Sequence, residues 1–417
     1  MIPAEQHKIW SLEPDGGPDE KPQHAFLSIN SGIQLHCLLR PSRQQSTRLI
    51  IFLHGFPDSS QVFAQYLSSP LADHATLVSL DLPGFGGSDG TADYGTETYL
   101  NTVVEAILLL RDRHLASPVD DDGPNHCILV GHDWGAAISA RLAMETEGLI
   151  DRVVLMNGPI PQVFVANVRT CLGSFGKHLK TWWRSPFHTQ LLCDARDAIS
   201  PLLVQLFLSN YIFMFNTPVC TMRYFRFVGE YLISVCHKAA AGQKAEAWAP
   251  WSWAASIGPS VNECTTTSQS LSYGNDVQER SIVFPHGDWD TRIRLYKEGL
   301  FTGDWTLRTQ QTEEVIQMKA GQKPCFRCPA TIIWGRKDMA LDYRMCVKGA
   351  EDYFRPANGH KEAESQIVLI EQGGHWSPLE DTGASVLREL LLELLGVNEE
   401  SGDTSLEQPG IKRSDFR

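Results

Sequence analysis

A chain of 417 residues with 42 % hydrophobic and 20 % charged side chains has the composition of a folded protein, which excludes wholesale disorder. It is long enough to bury a full core without disulfides or metals. Its 36 Lys and Arg against 49 Asp and Glu leave a net charge of −13, which excludes nucleic acid as the main partner because phosphate binding needs a basic surface. The ten cysteines follow no spaced framework, so reduced thiols in the cytoplasm are expected. Cys325 and Cys328 lack the second pair of a four-ligand zinc site, and no metal is expected.

Met1 to Gln23 is polar and acidic and lacks the charged start, apolar run and cleavage site of a signal peptide. Short apolar runs then predict strands at Ile33–Leu39, Leu49–His54, Thr76–Leu82, Cys127–Val130 and Val153–Met156, and after a long gap at Ala330–Trp334 and Ile367–Ile370. Runs apolar throughout suit strands buried on both faces. Leu100, Val103, Val104, Ile107 and Leu110 repeat with helical spacing, as do Val386, Leu390, Leu391 and Leu394. The alternation predicts an α/β fold: a mainly parallel sheet flanked by helices.

The gap breaks this rhythm and reads as an inserted, mostly helical cap. The expected organisation is a core in two parts, 24–159 and 324–396, a cap over 160–323 and a polar, mobile tail over 397–417. Within the cap, 243–286 reads as a long irregular excursion, with Trp248, Trp251 and Trp253 close together. Pro201–Cys220 is the most apolar stretch. Its Gln205, Ser209, Asn210 and two prolines point to a buried or membrane-touching helix, a peripheral membrane contact and not a span.

The strongest local signal is Gly131-His132-Asp133-Trp134-Gly135, between a strand and a helix. Its glycines permit the sharp turn that exposes one side chain at the top of a sheet. That side chain is a carboxylate, Asp133. Asp338 follows the strand ending at Trp334. His375, in Gly373-Gly374-His375-Trp376, follows the strand ending at Ile370. Nucleophile, acid, histidine is the chain order of one well-known triad arrangement. His54-Gly55-Phe56-Pro57 follows another strand, and the N–H groups of Phe56 and Trp134 are the candidate oxyanion donors. Val153–Met156 ends at Asn157, where a carboxylate would be the rival acid; an amide cannot carry that charge, so Asp338 is preferred.

These motifs resemble α/β-hydrolases of the soluble epoxide hydrolase type, and the resemblance covers about Gln23 to Val397 outside the excursion. It implies two cap tyrosines that hold and protonate the epoxide oxygen. Tyr211 matches through its pattern with Phe215 and Pro218; Tyr296 is the second candidate. It also implies substrate-facing positions at His54, Pro57, Phe215 and Trp376, an apolar epoxide and water as the small-molecule partners, and no cofactor. The expected reaction is epoxide to vicinal diol through an ester on Asp133, hydrolysed by water that His375 and Asp338 activate. A haloalkane dehalogenase uses the same nucleophile and is the alternative; a non-catalytic ligand-binding homologue is the second.

Overall fold

A computed structural model describes residues 2–12, 22–43, 47–115, 126–216, 231, 245–265, 271–308, 315–318, 322–355, 364–397 and 405–416. Its main sheet holds β1 (Gln23–Ser28), β2 (Gln34–Arg40), β3 (Leu49–Leu53), β4 (Thr76–Leu80), β5 (Cys127–His132), β6 (Arg152–Met156), β7 (Ala330–Gly335), β8 (Ser365–Ile370) and β9 (Ile411–Phe416). Their order across the sheet is β1-β2-β4-β3-β5-β6-β7-β8-β9. From β4 to β8 all neighbours are parallel, while β1, β2 and β9 join antiparallel at the two edges.

The apolar runs make sense in this setting. Strands β3 to β7 are buried along their whole length. Successive side chains point to opposite faces, so Leu49, Ile51 and Leu53 enter one core and Ile50 and Phe52 the other. The first core is closed by α2 (Thr96–His114) and α3 (Trp134–Glu145), and the second by α9 (Asp381–Leu394). Helices α4 (Pro161–Arg184) and α5 (Gln190–Leu208) follow β6 as an antiparallel pair, then α6 (Asn210–Phe215). The chain is an α/β fold, as expected.

Two regions differ from expectation, and a third, the N-terminus, forms an element for which there was none. The excursion at 243–286 contains α7 (Ala245–Ile257), a short helix at Val261–Thr265 and α8 (Asn275–Val283). Pro250 inside α7 and the lack of one apolar stripe hid the first of these. The N-terminal residues form α1 (Ile2–Trp10), which packs on α7. Trp10 is fully buried there, its Nε1 donating to Ala254 O at 2.9 Å, and Gln6 Nε2 donates to Gly258 O at 3.0 Å. The polar tail, expected to be mobile, supplies β9, which completes the sheet against β8. An edge strand needs no apolar run, and charges protect such an edge: Lys412 pairs with Glu371 at 2.8 Å and Arg413 with Glu393 at 2.9 Å. In the apolar stretch 201–220, Pro201 lies inside α5, and residues 217–220, with Pro218, lie outside the described residues. No described helix is long and apolar enough to cross a membrane.

Candidate active site

The loops leaving β3, β5, β6, β7 and β8, consecutive in the sheet, converge at its carboxyl edge, where ligands of parallel sheets bind. Asp133 closes β5 and begins α3 with φ 51° and ψ −117°, a strained conformation for a side chain with a Cβ. Close packing forces it: a Cβ on Gly135 would strike Leu53 O, and one on Gly55 would strike the Asp133 carboxylate. The turn leaves Asp133 only 8 % exposed. Phe56 N–H donates to Asp133 Oδ2 at 2.9 Å, and Trp134 N–H also bonds to the carboxylate. Burial raises the Asp133 carboxyl to about 6, against the opposing pull of His375 and these two N–H groups.

His375, after β8, points Nε2 at Asp133 Oδ1 across 3.8 Å and donates Nδ1–H to Asp338 Oδ2 at 2.9 Å. Burial alone would lower its pKa, but Asp338 and then Asp133 outweigh burial and hold it at about 9. Asp338, after β7, accepts at Oδ1 from the N–H groups of Ala340 and Leu341, both at 2.8 Å. Its Oδ2 also accepts from Asn157 Nδ2 at 2.8 Å.

Asn157 therefore does more than leave a carboxylate position vacant. It is fully buried at the end of β6, with φ 39°. Its Oδ1 accepts from Gly335 N at 3.1 Å and Ser377 Oγ at 2.7 Å. One amide ties the acid loop, the histidine loop and β7 together. Sequence reading did not assign it this role; the available signal was an Asn directly after a buried strand, a residue that tolerates positive φ. Glu380 was also missed: its carboxylate accepts Gly374 N–H at 2.9 Å and fixes the histidine loop.

An aromatic cluster covers the carboxylate. The Phe56 ring packs on Phe215 and on Tyr296, each with centroids 5.4 Å apart. Tyr296 stands edge-on to Trp134 at 5.0 Å and to Tyr211 at 6.1 Å. Burial first, and the nearby Asp133 charge after it, raise the Tyr211 phenol well above its usual range. Burial, Tyr211 and Asp133 do the same to Tyr296. Both remain protonated at neutral pH and are coupled to the same carboxylate.

A family model described as the alpha/beta hydrolase family matches residues 50–389. The chain belongs to the alpha/beta hydrolase family. Epoxide hydrolase 3 of Xenopus tropicalis is 27 % identical over 201 residues, 47 % of this chain and 42 % of that protein. Epoxide hydrolase 4 of Mus musculus is 30 % identical over 142 residues, 34 % of this chain and 36 % of that protein. The match thus spans about two-fifths of the length of these relatives. Among solved structures, the Bacillus megaterium epoxide hydrolase in complex with an inhibitor aligns with TM-score 0.50 and 17 % identity, over 89 % of this chain and 100 % of that one. A Vigna radiata epoxide hydrolase mutant aligns with TM-score 0.52 and 16 % identity, over 90 % and 99 %. These two likenesses are of fold.

In this alpha/beta hydrolase the positions expected to face substrate divide. Phe215 lies in the aromatic cluster with Tyr211 and Tyr296. His54 is corrected: its ring is fully buried, with Nδ1 bonded to Gly55 O at 2.8 Å and Nε2 accepting Leu82 N–H at 3.0 Å. Both nitrogens are committed to holding the loop. Pro57 is buried behind a cis peptide with Phe56. Trp376 stacks edge-on against His375 at 4.9 Å, but its Nε1 donates to the buried Asp58 at 2.8 Å and its ring packs on the second core. Cys328 is a free, buried thiol that burial pushes up to about 12.

Proposed function

We propose that this alpha/beta hydrolase opens an apolar epoxide with water to give a vicinal diol. One juxtaposition carries the reading: a carboxylate stands at the nucleophile turn beneath two protonated tyrosines whose ionisation it opposes. Phe56 N–H holds Oδ2, which leaves Oδ1 to attack an epoxide carbon. The ring C–O bond breaks, and the alkoxide takes a proton from Tyr211 or Tyr296. An aspartate nucleophile disfavours ordinary ester hydrolysis, because it would give an anhydride there.

The ester on Asp133 no longer carries a charge. One of the groups that hold His375 near 9 is then gone, so alkylation itself lowers the histidine toward a working base. Water gives a proton to His375 Nε2 and attacks the ester carbon, while the Phe56 and Trp134 N–H groups hold the oxyanion. The ester C–O bond breaks, the leaving alkoxide takes the proton that the attacking water left on the Asp133 carboxyl, the diol departs, and the histidine proton returns to the tyrosinate directly or through solvent. Halide would need donors and no proton, so the two tyrosines favour epoxide over haloalkane. The names of the relatives support the same choice. Incubation with styrene oxide, a fatty-acid epoxide and a haloalkane tests it. Diol from at least one epoxide is expected; halide release without diol would overturn the reading in favour of dehalogenation.

A further inference from the structure

Away from the catalytic edge, α4 and α5 meet in a turn that buries little of its apolar surface. Trp183 is 81 % exposed and Phe187 95 %, with Leu172 at 51 % and Leu192 at 39 %. A water-facing helix end normally carries polar side chains there, and an apolar group of this size marks an interaction surface. Leu172 and Trp183 are 11 residues apart, about three turns, and so share one exposed stripe of α4. Lys177, Lys180 and Arg184 are also exposed and flank that stripe, about 60–120° round the helix from Trp183.

Charge selects the occupant. Residues 161–193 hold four cations, Arg169, Lys177, Lys180 and Arg184, and no carboxylate, in a chain of net charge −13. The next acids along the chain, Asp194 and Asp197, are engaged by Gln190 at 3.0 Å and Arg196 at 2.8 Å. Aromatic and aliphatic side chains along one edge of a helix, with lysines and arginines along the other, are what an interfacial helix presents to a bilayer. The rings enter the acyl boundary and the long basic side chains reach the headgroups. We infer that the α4–α5 turn docks this protein on an anionic phospholipid surface, with Trp183 and Phe187 inserted and Lys177, Lys180 and Arg184 on the headgroups. The inference holds whatever reaction the site performs.

Flotation of the full chain with vesicles tests it. At low salt the protein should float with phosphatidylcholine vesicles containing about a quarter phosphatidylserine, and far less with phosphatidylcholine alone. The double variant Trp183→Ser/Phe187→Ser should lose about tenfold or more in vesicle affinity. Lys177→Glu/Lys180→Glu should lose as much on anionic vesicles, and raised salt should mimic it. All four side chains are exposed, so melting curves of both variants should overlay the wild type. Failure of the wild type to float with anionic vesicles, or flotation unchanged in the Trp183/Phe187 variant, would overturn the inference. A dimer that this variant disperses, with no flotation, would overturn it too and assign the surface to a second copy of the chain.

Discussion

Asp133, Asp338 and His375 are held by hydrogen bonds on loops that leave parallel strands, whereas Tyr211 and Tyr296 stand inside a cluster of rings, where their hydroxyls bond each other and Tyr296 also bonds Trp134. Each oxygen of Asp338 has a named donor, and the histidine is fixed at both its side chain and its loop. The tyrosines stand among Phe56, Phe215 and Trp134 at ring distances of 5.0 to 5.5 Å, and 6.1 Å from each other. Hydrogen bonds fix direction, which proton transfer and in-line attack require. Ring packing fixes volume and tolerates small shifts. Gln205 joins the two regions. From α5 it accepts Asp342 N–H at 2.7 Å and donates to Ala340 O at 3.3 Å, so α5 is fastened to the loop that carries Asp338.

The contrast can be broken hardest at His375. His375→Gln should still be alkylated by epoxide and then stall, slowing turnover by about 10⁴-fold. Intact-protein mass spectrometry should find the substrate's mass added. Full turnover would remove the histidine from water activation. The ring-held side should yield less: Tyr211→Phe and Tyr296→Phe together should slow alkylation by about 10²–10⁴-fold, with smaller losses for each alone. Hydrolysis of an ester already formed should be spared. Epoxide opening at the wild-type rate in the double variant would contradict the tyrosine assignment.

A pH series sharpens the same division. Alkylation needs the Asp133 anion, so its rate should rise with pH through about 6 and fall about tenfold per unit below that. Ester hydrolysis needs neutral His375, and its midpoint should lie below the value of about 9 held in the free protein, since the ester removes the Asp133 charge. Rapid-mixing fluorescence separates the two steps, and a hydrolysis midpoint at or above 9 would contradict the coupling. The smallest effects should come from the supports. Asn157→Leu leaves Gly335 N–H and Ser377 without partners and should cost about 1–3 kcal/mol of stability, with a slower second step. Gln205→Leu should cost a similar amount but raise KM more than it lowers the ester hydrolysis rate. Denaturant titration with steady-state kinetics distinguishes them.

What could be read in the sequence follows the same line. The Asp133 turn, the His375 loop and the Asp338 loop are short-range: one ionisable side chain, with glycine beside or before it, soon after an apolar strand. Their meeting at one point follows from strand order, which an alternating pattern implies. Tertiary partnerships were not legible. Asn157 acts through two segments distant in sequence, 335–338 and the one holding Ser377, and nothing local marks it as more than a turn residue. His54 sits in a motif yet spends both nitrogens on backbone. Helix α7 is unremarkable as a pattern and is stabilised by α1, and β9 is a polar edge that pairs only because β8 is there.

The proposed mechanism requires the Asp133 carboxylate to attack carbon before water does. A single turnover of excess protein with a racemic epoxide in heavy-oxygen water tests it most directly. The first diol should carry ordinary oxygen from the carboxylate, and the label should enter the protein at Asp133. Solvent label in the first diol, with none on Asp133, would contradict it.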